Sequence, residues 1–195
     1  AAVRACLEGE RRRIDLGRAG DRHFLLMAGY GLDGHIARRV SLSAKRYLGA
    51  TAYAAAALRE SVRYRGRPVT LTLDEERRQE LVLMMVAGNT RNYAGLVEVT
   101  PRARADDGLL DVCIFPGSGF RDAVLHLLRV VLGRHAGSSN VIYRQVRRLE
   151  LDWQQPLPLQ LDGDAWPESP TRVEVVPGVL DVMVPAGSGC PLFSG

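Results

Sequence analysis

Residues 81–115 read LVLMMVAGNTRNYAGLVEVTPRARADDGLLDVCIF. One apolar run, 81–87, opens the stretch and another, 109–115, closes it. Short apolar runs bounded by turn residues read as buried strands. Between them stand Gly88, Asn89, Asn92, Gly95, Pro101 and the triplet Asp106-Asp107-Gly108. Glycine reaches backbone angles that other residues resist, and Asn and Asp bond to nearby backbone. Two buried strands are therefore joined by a long polar connection, and connections of that length often carry function.

Upstream, residues 1–10 resemble the tail of a helix or a linker. Residues 13–16 alternate as a strand, 17–21 form a turn, and 23–30 read as one buried strand. A helix starts near Asp33, a residue that can cap it or face a cleft, with the cap preferred. A second helix spans about 45–64, with Leu48, Ala52, Ala55, Leu58 and Val62 at helical spacing. Residues 69–73 alternate as a half-exposed strand, and 75–78 read as a charged turn.

Downstream, 116–119 is a turn. Phe120, Ala123, Val124, Leu127, Leu128 and Val131 mark an amphipathic helix that ends at Gly133. Strands follow at 141–153, 157–161, 172–176 and 180–184, punctuated by Pro and Gly as in a sandwich or barrel. The predicted fold is β-rich (α+β), an antiparallel β-sandwich with two to three flanking helices. Residues 1–186 are expected to form one domain, with 187–195 a loose tail.

The 195 residues carry a net charge of +4, and of 26 basic residues only Lys45 is lysine. Arginine grips phosphate or carboxylate as a fork, so a basic surface suits anionic lipid or nucleic acid. These arginines are dispersed and aromatics do not interleave with them, so nucleic-acid binding is not expected. No apolar stretch approaches the ~20 residues that cross a bilayer. Charge appears early (Arg4, Glu8, Glu10), unlike a secretion signal. Cys6, Cys113 and Cys190 lack metal spacing and favour a reducing compartment. Ala1 rather than Met begins the chain, which leaves room for an upstream segment.

Two acidic turns could carry chemistry. Asp106-Asp107-Gly108-Leu109-Leu110-Asp111 could bind a hard cation through carboxylates and backbone carbonyls, or form a turn whose Asp side chains bond to their own backbone; the turn is the simpler reading. Leu161-Asp162-Gly163-Asp164 reads equally as a hairpin turn and as a cleft carboxylate able to take a proton from a hydroxyl. His23, His35, His126 and His135 show no metal pairing, and His126 is expected to be solvated on the polar face of its helix. There is no nucleophile elbow, Walker loop or dinucleotide fingerprint.

In order, several short motifs resemble the C-terminal half of the bacterial diacylglycerol-kinase-like lipid kinases, a family that includes sphingosine and ceramide kinases. They are Arg13-Ile14-Asp15-Leu16-Gly17, Phe24 to Asp33, Lys45-Arg46-Tyr47-Leu48-Gly49 with Ala52-Tyr53, Val86-Ala87-Gly88-Asn89 with Tyr93, Thr100-Pro101-Arg102-Ala103, Asp106 to Val112, Leu161-Asp162-Gly163-Asp164 and Val182-Met183-Val184-Pro185. The resemblance implies the C-terminal domain of a two-domain lipid kinase. An N-terminal domain, whose Gly-Gly-Asp-Gly-Thr segment binds ATP, is absent from this chain. It implies the lipid-binding half of an enzyme that phosphorylates a diacylglycerol-like hydroxyl, inactive as a fragment. It also implies a membrane lipid substrate, peripheral contact with the inner membrane face and a cytoplasmic setting.

By position, Asp107 and the backbone carbonyls of Arg104 and Leu109 would ligate a structural magnesium ion. Asp164, with Asp162 beside it, would be the catalytic proton acceptor. Two departures stand out. Family members usually have Glu where Asp164 stands, and Ala94-Gly95-Leu96 replaces a flexible Gly-Gly-Gly. The alternative is a non-catalytic lipid-binding module; a nucleotide- or nucleic-acid-binding β domain is a third reading.

Overall fold

A computed structural model describes residues 8–39, 59–93, 97–186 and 193. Its strands are β1 (Glu10–Ala19), β2 (Arg22–Phe24), β3 (Met27–Gly31), β4 (Arg67–Leu73), β5 (Glu76–Gly88), β6 (Asn92–Tyr93), β7 (Val97–Glu98), β8 (Leu110–Pro116), β9 (Ile142–Val146), β10 (Arg148–Asp152), β11 (Leu159–Leu161), β12 (Asp164–Trp166) and β13 (Arg172–Val184). Two described helices join them, α1 (Leu32–Arg39) and α2 (Phe120–Val131).

Eleven strands form one antiparallel sheet in the order β12-β11-β3-β5-β4-β10-β13-β1-β2, with β8 on β5 and β9 on β8. Strand β5 organises it. Its first half pairs with β4, its second half pairs with β3, and β8 pairs with the second half as well. A register shift between Val82 and Met84 marks the change of partners. Such a shift re-aims the side chains beyond it. Val82, Met85 and Ala87 thus share the main core, while Val86 packs into a second one. The main core gathers Ala19 and Phe24 from one end of the strand order and Leu159 and Leu161 from the other. The sheet therefore curls so that distant strands close over common apolar side chains. The mostly antiparallel, curled, sandwich-like architecture agrees with the sequence expectation.

Where strands expected as continuous are broken, polar side chains explain the breaks. The strand expected at 23–30 is broken at Leu25 and Leu26, where backbone N–H groups turn to Asp162. The run 141–153 divides at Arg147, because the Arg147 and Arg148 N–H groups donate to Asp74. The predicted charged turn at 75–78 shrinks to Asp74-Glu75; Arg78 lies in β5, paired with Glu76 and Glu80. The two strands expected at 172–176 and 180–184 are one strand, β13. Its register against β1 shifts between Ile14 and Leu16.

The expected helix at 45–64 falls largely outside the described residues, which show helix only at 59–61. Residues 1–7 and most of 187–195 fall outside them too. No described helix is long and apolar enough to cross a membrane.

Candidate functional site

The Asp162-Gly163 turn joins β11 to β12, with Leu161 paired to Asp164. Both turn residues have positive φ, 50° and 92°. That combination suits a two-residue hairpin, and Asp tolerates it better than most residues. The Asp162 carboxylate accepts the N–H groups of Leu25, Leu26 and Met27 at 2.7, 2.7 and 2.9 Å. Its own N–H donates to the Met27 carbonyl at 2.9 Å. From the other side, the Asn89 N–H donates to the Leu26 carbonyl at 2.9 Å and its side-chain amide to the Leu25 carbonyl at 3.0 Å. Every backbone polar group of Leu25 to Met27 is thereby bound by Asp162 or Asn89.

Gln160 braces the turn from below. Its amide donates to Asp33 Oδ2 at 2.8 Å, and its carbonyl accepts the Gly163 N–H at 2.6 Å. Asp33 is buried and lies within the first turn of α1, which begins one residue earlier than expected, at Leu32. The carboxylate rests on bare backbone: a Cβ at Gly29 would fall 1.7 Å from Asp33 Oδ2. Only glycine allows that approach.

Asp164 stands apart. Its side chain is exposed and makes no hydrogen bond or ion pair among the described residues. The clamped bend exposes Leu25 and Leu26, at 40% and 41%. An open carboxylate and an apolar lip thus sit on one braced scaffold, an arrangement able to present an amphipathic hydroxyl to a proton acceptor.

The second acidic turn is tied to the first. Asp107 Oδ1 accepts the Leu109 N–H at 3.0 Å, as a local Asp turn does. The N–H of Gly108, whose φ is 70°, donates to Asp15 Oδ2 at 2.7 Å. Asp15 Oδ1 accepts the Gly178 N–H at 2.7 Å, and the Asp15 carbonyl accepts the Asn89 amide at 2.9 Å. Asp15 and Asn89 therefore link the 104–109 turn to the bend that Asp162 holds.

Burial raises the pKa of Asp107 above the ordinary carboxylate range, opposed by the Leu109 N–H; the Asp15 and Asp106 charges raise it further and Arg104 opposes. Asp111 is raised by burial as well, against hydrogen bonds from Tyr143 at 2.5 Å and Gln145 at 3.2 Å. Among the described residues no three of His, Cys, Asp and Glu converge as a metal-binding group. The set implied by the family resemblance needs only the Asp107 carboxylate and two backbone carbonyls. A half-buried carboxylate crowded by other acids is one whose charge a hard cation would relieve, so the donor chemistry fits.

Sequence reasoning missed Asp15 and Gln160 and gave Asn89 no role. Asp15 looks like the exposed member of an alternating strand, yet it is 3% exposed because the β1–β13 register shift turns it inward. His126 is also displaced from its expected solvated place. It is buried, edge-on to Phe115, with Nε2 2.7 Å from the Pro116 carbonyl.

Residues 27–184 match the family described as the YegS C-terminal NAD kinase beta sandwich-like domain. A "probable lipid kinase YegS-like" protein of Pseudomonas syringae pv. syringae (strain B728a) is 34% identical over 185 residues, covering 94% of this chain and 59% of that protein. One of the same name from Pseudomonas putida KT2440 is 32% identical over 194 residues, covering 100% and 63%. The chain thus spans about three fifths of the curated relatives it matches. A diacylglycerol kinase-like crystal structure from Bacillus anthracis str. Sterne superimposes with a TM-score of 0.73 at 18% identity, covering 89% of this chain and 57% of that one. At that identity the likeness shows the shared fold.

Proposed function

The chain belongs to the YegS C-terminal NAD kinase beta sandwich-like domain family, and on that premise we propose that it is the lipid-acceptor half of an ATP-dependent lipid kinase, inactive without an ATP-binding domain. The observation that carries the reading is the pair of contrasting carboxylates in one hairpin. Asp162 spends its oxygens on three backbone N–H groups, while Asp164, two residues on, is open to solvent. The Asp162 oxygens are taken up in holding the 25–27 bend. Asp162 is therefore assigned to positioning, and Asp164 to accepting the proton of a lipid hydroxyl as its oxygen attacks the terminal phosphorus of ATP and ADP leaves. The names of the relatives, as probable lipid kinases, support the lipid-kinase reading.

Magnesium would be held by Asp107 with the carbonyls of Arg104 and Leu109, and would supply charge neutralisation and rigidity at the second turn. Asp15 and Asn89 would carry that rigidity to the hairpin. Diacylglycerol is the proposed substrate class, and the inner membrane face its place.

The test is Asp164→Asn in the full-length protein. Turnover of diacylglycerol should fall by about 100-fold or more with an unchanged melting curve, the range in which proton transfer contributes. Undiminished turnover would remove Asp164 from the chemistry. Lipid binding without any phosphorylation by the wild-type protein would favour a lipid-binding module instead.

A further inference from the structure

Helix α2 is turned inside out. Its buried residues are His126 and Val130. Leu125, Leu127, Leu128, Val131 and the following Leu132 face solvent, the last three of them 53%, 61% and 63% exposed. Leu125, Leu128 and Leu132 recur at spacings of three and four, so they line one side of the helix. Large apolar residues scattered singly on a surface need no explanation, but a contiguous stripe marks something that covers it.

The inversion is enforced from below. The imidazole of His126 is pinned to the Pro116 carbonyl, and Val130 packs with Phe115 and Tyr143 in the second core. The start of the helix is fixed too: the Asp122 carboxylate accepts the Ser118 N–H at 2.7 Å. The helix cannot roll its leucines inward without breaking both contacts.

The charge around the stripe selects the occupant. Residues 116–141 contain Arg121, Arg129 and Arg134 against a single acid, Asp122, which is committed to the helix start. Arg121 and Arg134 are exposed, and the Arg65 guanidinium lies by Gly119. An amphipathic helix with an apolar outer arc and an arginine border matches an anionic bilayer surface, where the arc enters the acyl boundary and arginines meet lipid phosphates.

We propose that α2 is the membrane-docking element of this protein, seating Leu125, Leu128, Val131 and Leu132 in the interface of an anionic bilayer. This rests on the reading of the protein as one whose substrate lies in a bilayer, but docking itself is read by binding, not by turnover.

The full-length protein is sedimented with vesicles of phosphatidylcholine alone or mixed with phosphatidylglycerol. Binding should require the anionic lipid and weaken as salt is added. The double change Leu128→Glu/Val131→Glu should lower partition at least about tenfold, since each side chain would lose its burial, with an unchanged melting temperature. Arg121→Gln/Arg134→Gln should weaken binding to the anionic vesicles. Hydrogen exchange should show α2 protected only when vesicles are present.

Wild-type protein that fails to bind, or a double variant that binds equally well, overturns the proposal. So does protection of α2 without lipid, which would assign the stripe to the rest of the full-length protein. A wild-type dimer that the double variant converts to monomer would assign it to a second copy. Phosphorylation of a micelle-dispersed short-chain diacylglycerol separates the two readings: it persists if only docking fails, and is absent if the kinase assignment fails.

Discussion

Helices α1 and α2 meet the same sheet in opposite ways. In α1, Leu32, Asp33, Gly34, Ile36 and Ala37 are buried, and the basic Arg38 and Arg39 are exposed. It packs against β3, β5, β11 and β12, with Leu32 and Ile36 joining Leu83 and Tyr64. The longer α2 buries two residues and gives its leucines to solvent. The contrast shows that an amphipathic pattern locates an apolar stripe but does not say what the stripe is for. In α1 the stripe serves the fold, and a buried carboxylate is accepted beside it because Gln160 donates to that carboxylate. In α2 the fold uses a histidine and a valine, and the stripe is left for another surface.

The largest effect should come from tightening α1. A Cβ at Gly34 would fall 2.3 Å from the Pro158 carbonyl oxygen, a backbone atom that cannot swing aside. Gly34→Ala should cost about 3 kcal/mol, the upper end of overpacking, measured by chemical denaturation. A loss below about 1 kcal/mol would mean that α1 is seated as loosely as α2.

A smaller effect concerns the base of α2. Burial lowers the pKa of His126; the Pro116 carbonyl opposes, nearby Arg129 adds to the lowering, and Asp122 opposes. The folded protein therefore takes the proton less readily than the unfolded chain, whose histidine titrates near about 6.5. Above that pH both forms are neutral and stability is unaffected. As the pH falls below it, the unfolded chain protonates first and stability declines until the folded pKa is passed. Melting temperatures measured downward from neutral pH should show this decline in the wild type, and His126→Gln should remove that part of it. Identical pH profiles would mean that His126 does not anchor the helix.

The smallest effect should be on the outer arc. Leu128→Ala should change stability by no more than about 0.5 kcal/mol, as at an ordinary surface position. A loss of about 2 kcal/mol would show that the arc is buried in the folded protein after all, and would erase the distinction between the two helices.

Much of the architecture was readable from the chain. The runs at 81–87 and 109–115 are buried strands, as short apolar runs between turn residues imply, and the structure pairs them with each other. Legibility ended where a single polar side chain redirected the backbone. Asp162 breaks an otherwise continuous strand at Leu25, and Asp74 divides another at Arg147. These bonds span 137 and 73 residues, so no local pattern announces them. The two acidic turns were visible as motifs, and their short Asp-Gly chemistry marked them as tight. That one of them spends its first carboxylate on the backbone and leaves its second free was not visible, because both are the same residue type in the same turn.

The sequence by itself determined where most of the strands lie, the amphipathic stretch at 120–131 and the acidic turns, since each depends on residues a few positions apart. Only the tertiary structure decided that Asp15 points inward, that Asn89 and Asp162 grip one bend from two sides, and that α2 presents its apolar arc outward. Period fixes which side chains share a face, but which face is buried depends on bonds the sheet makes at long range, and those exist only once distant strands have closed on one another.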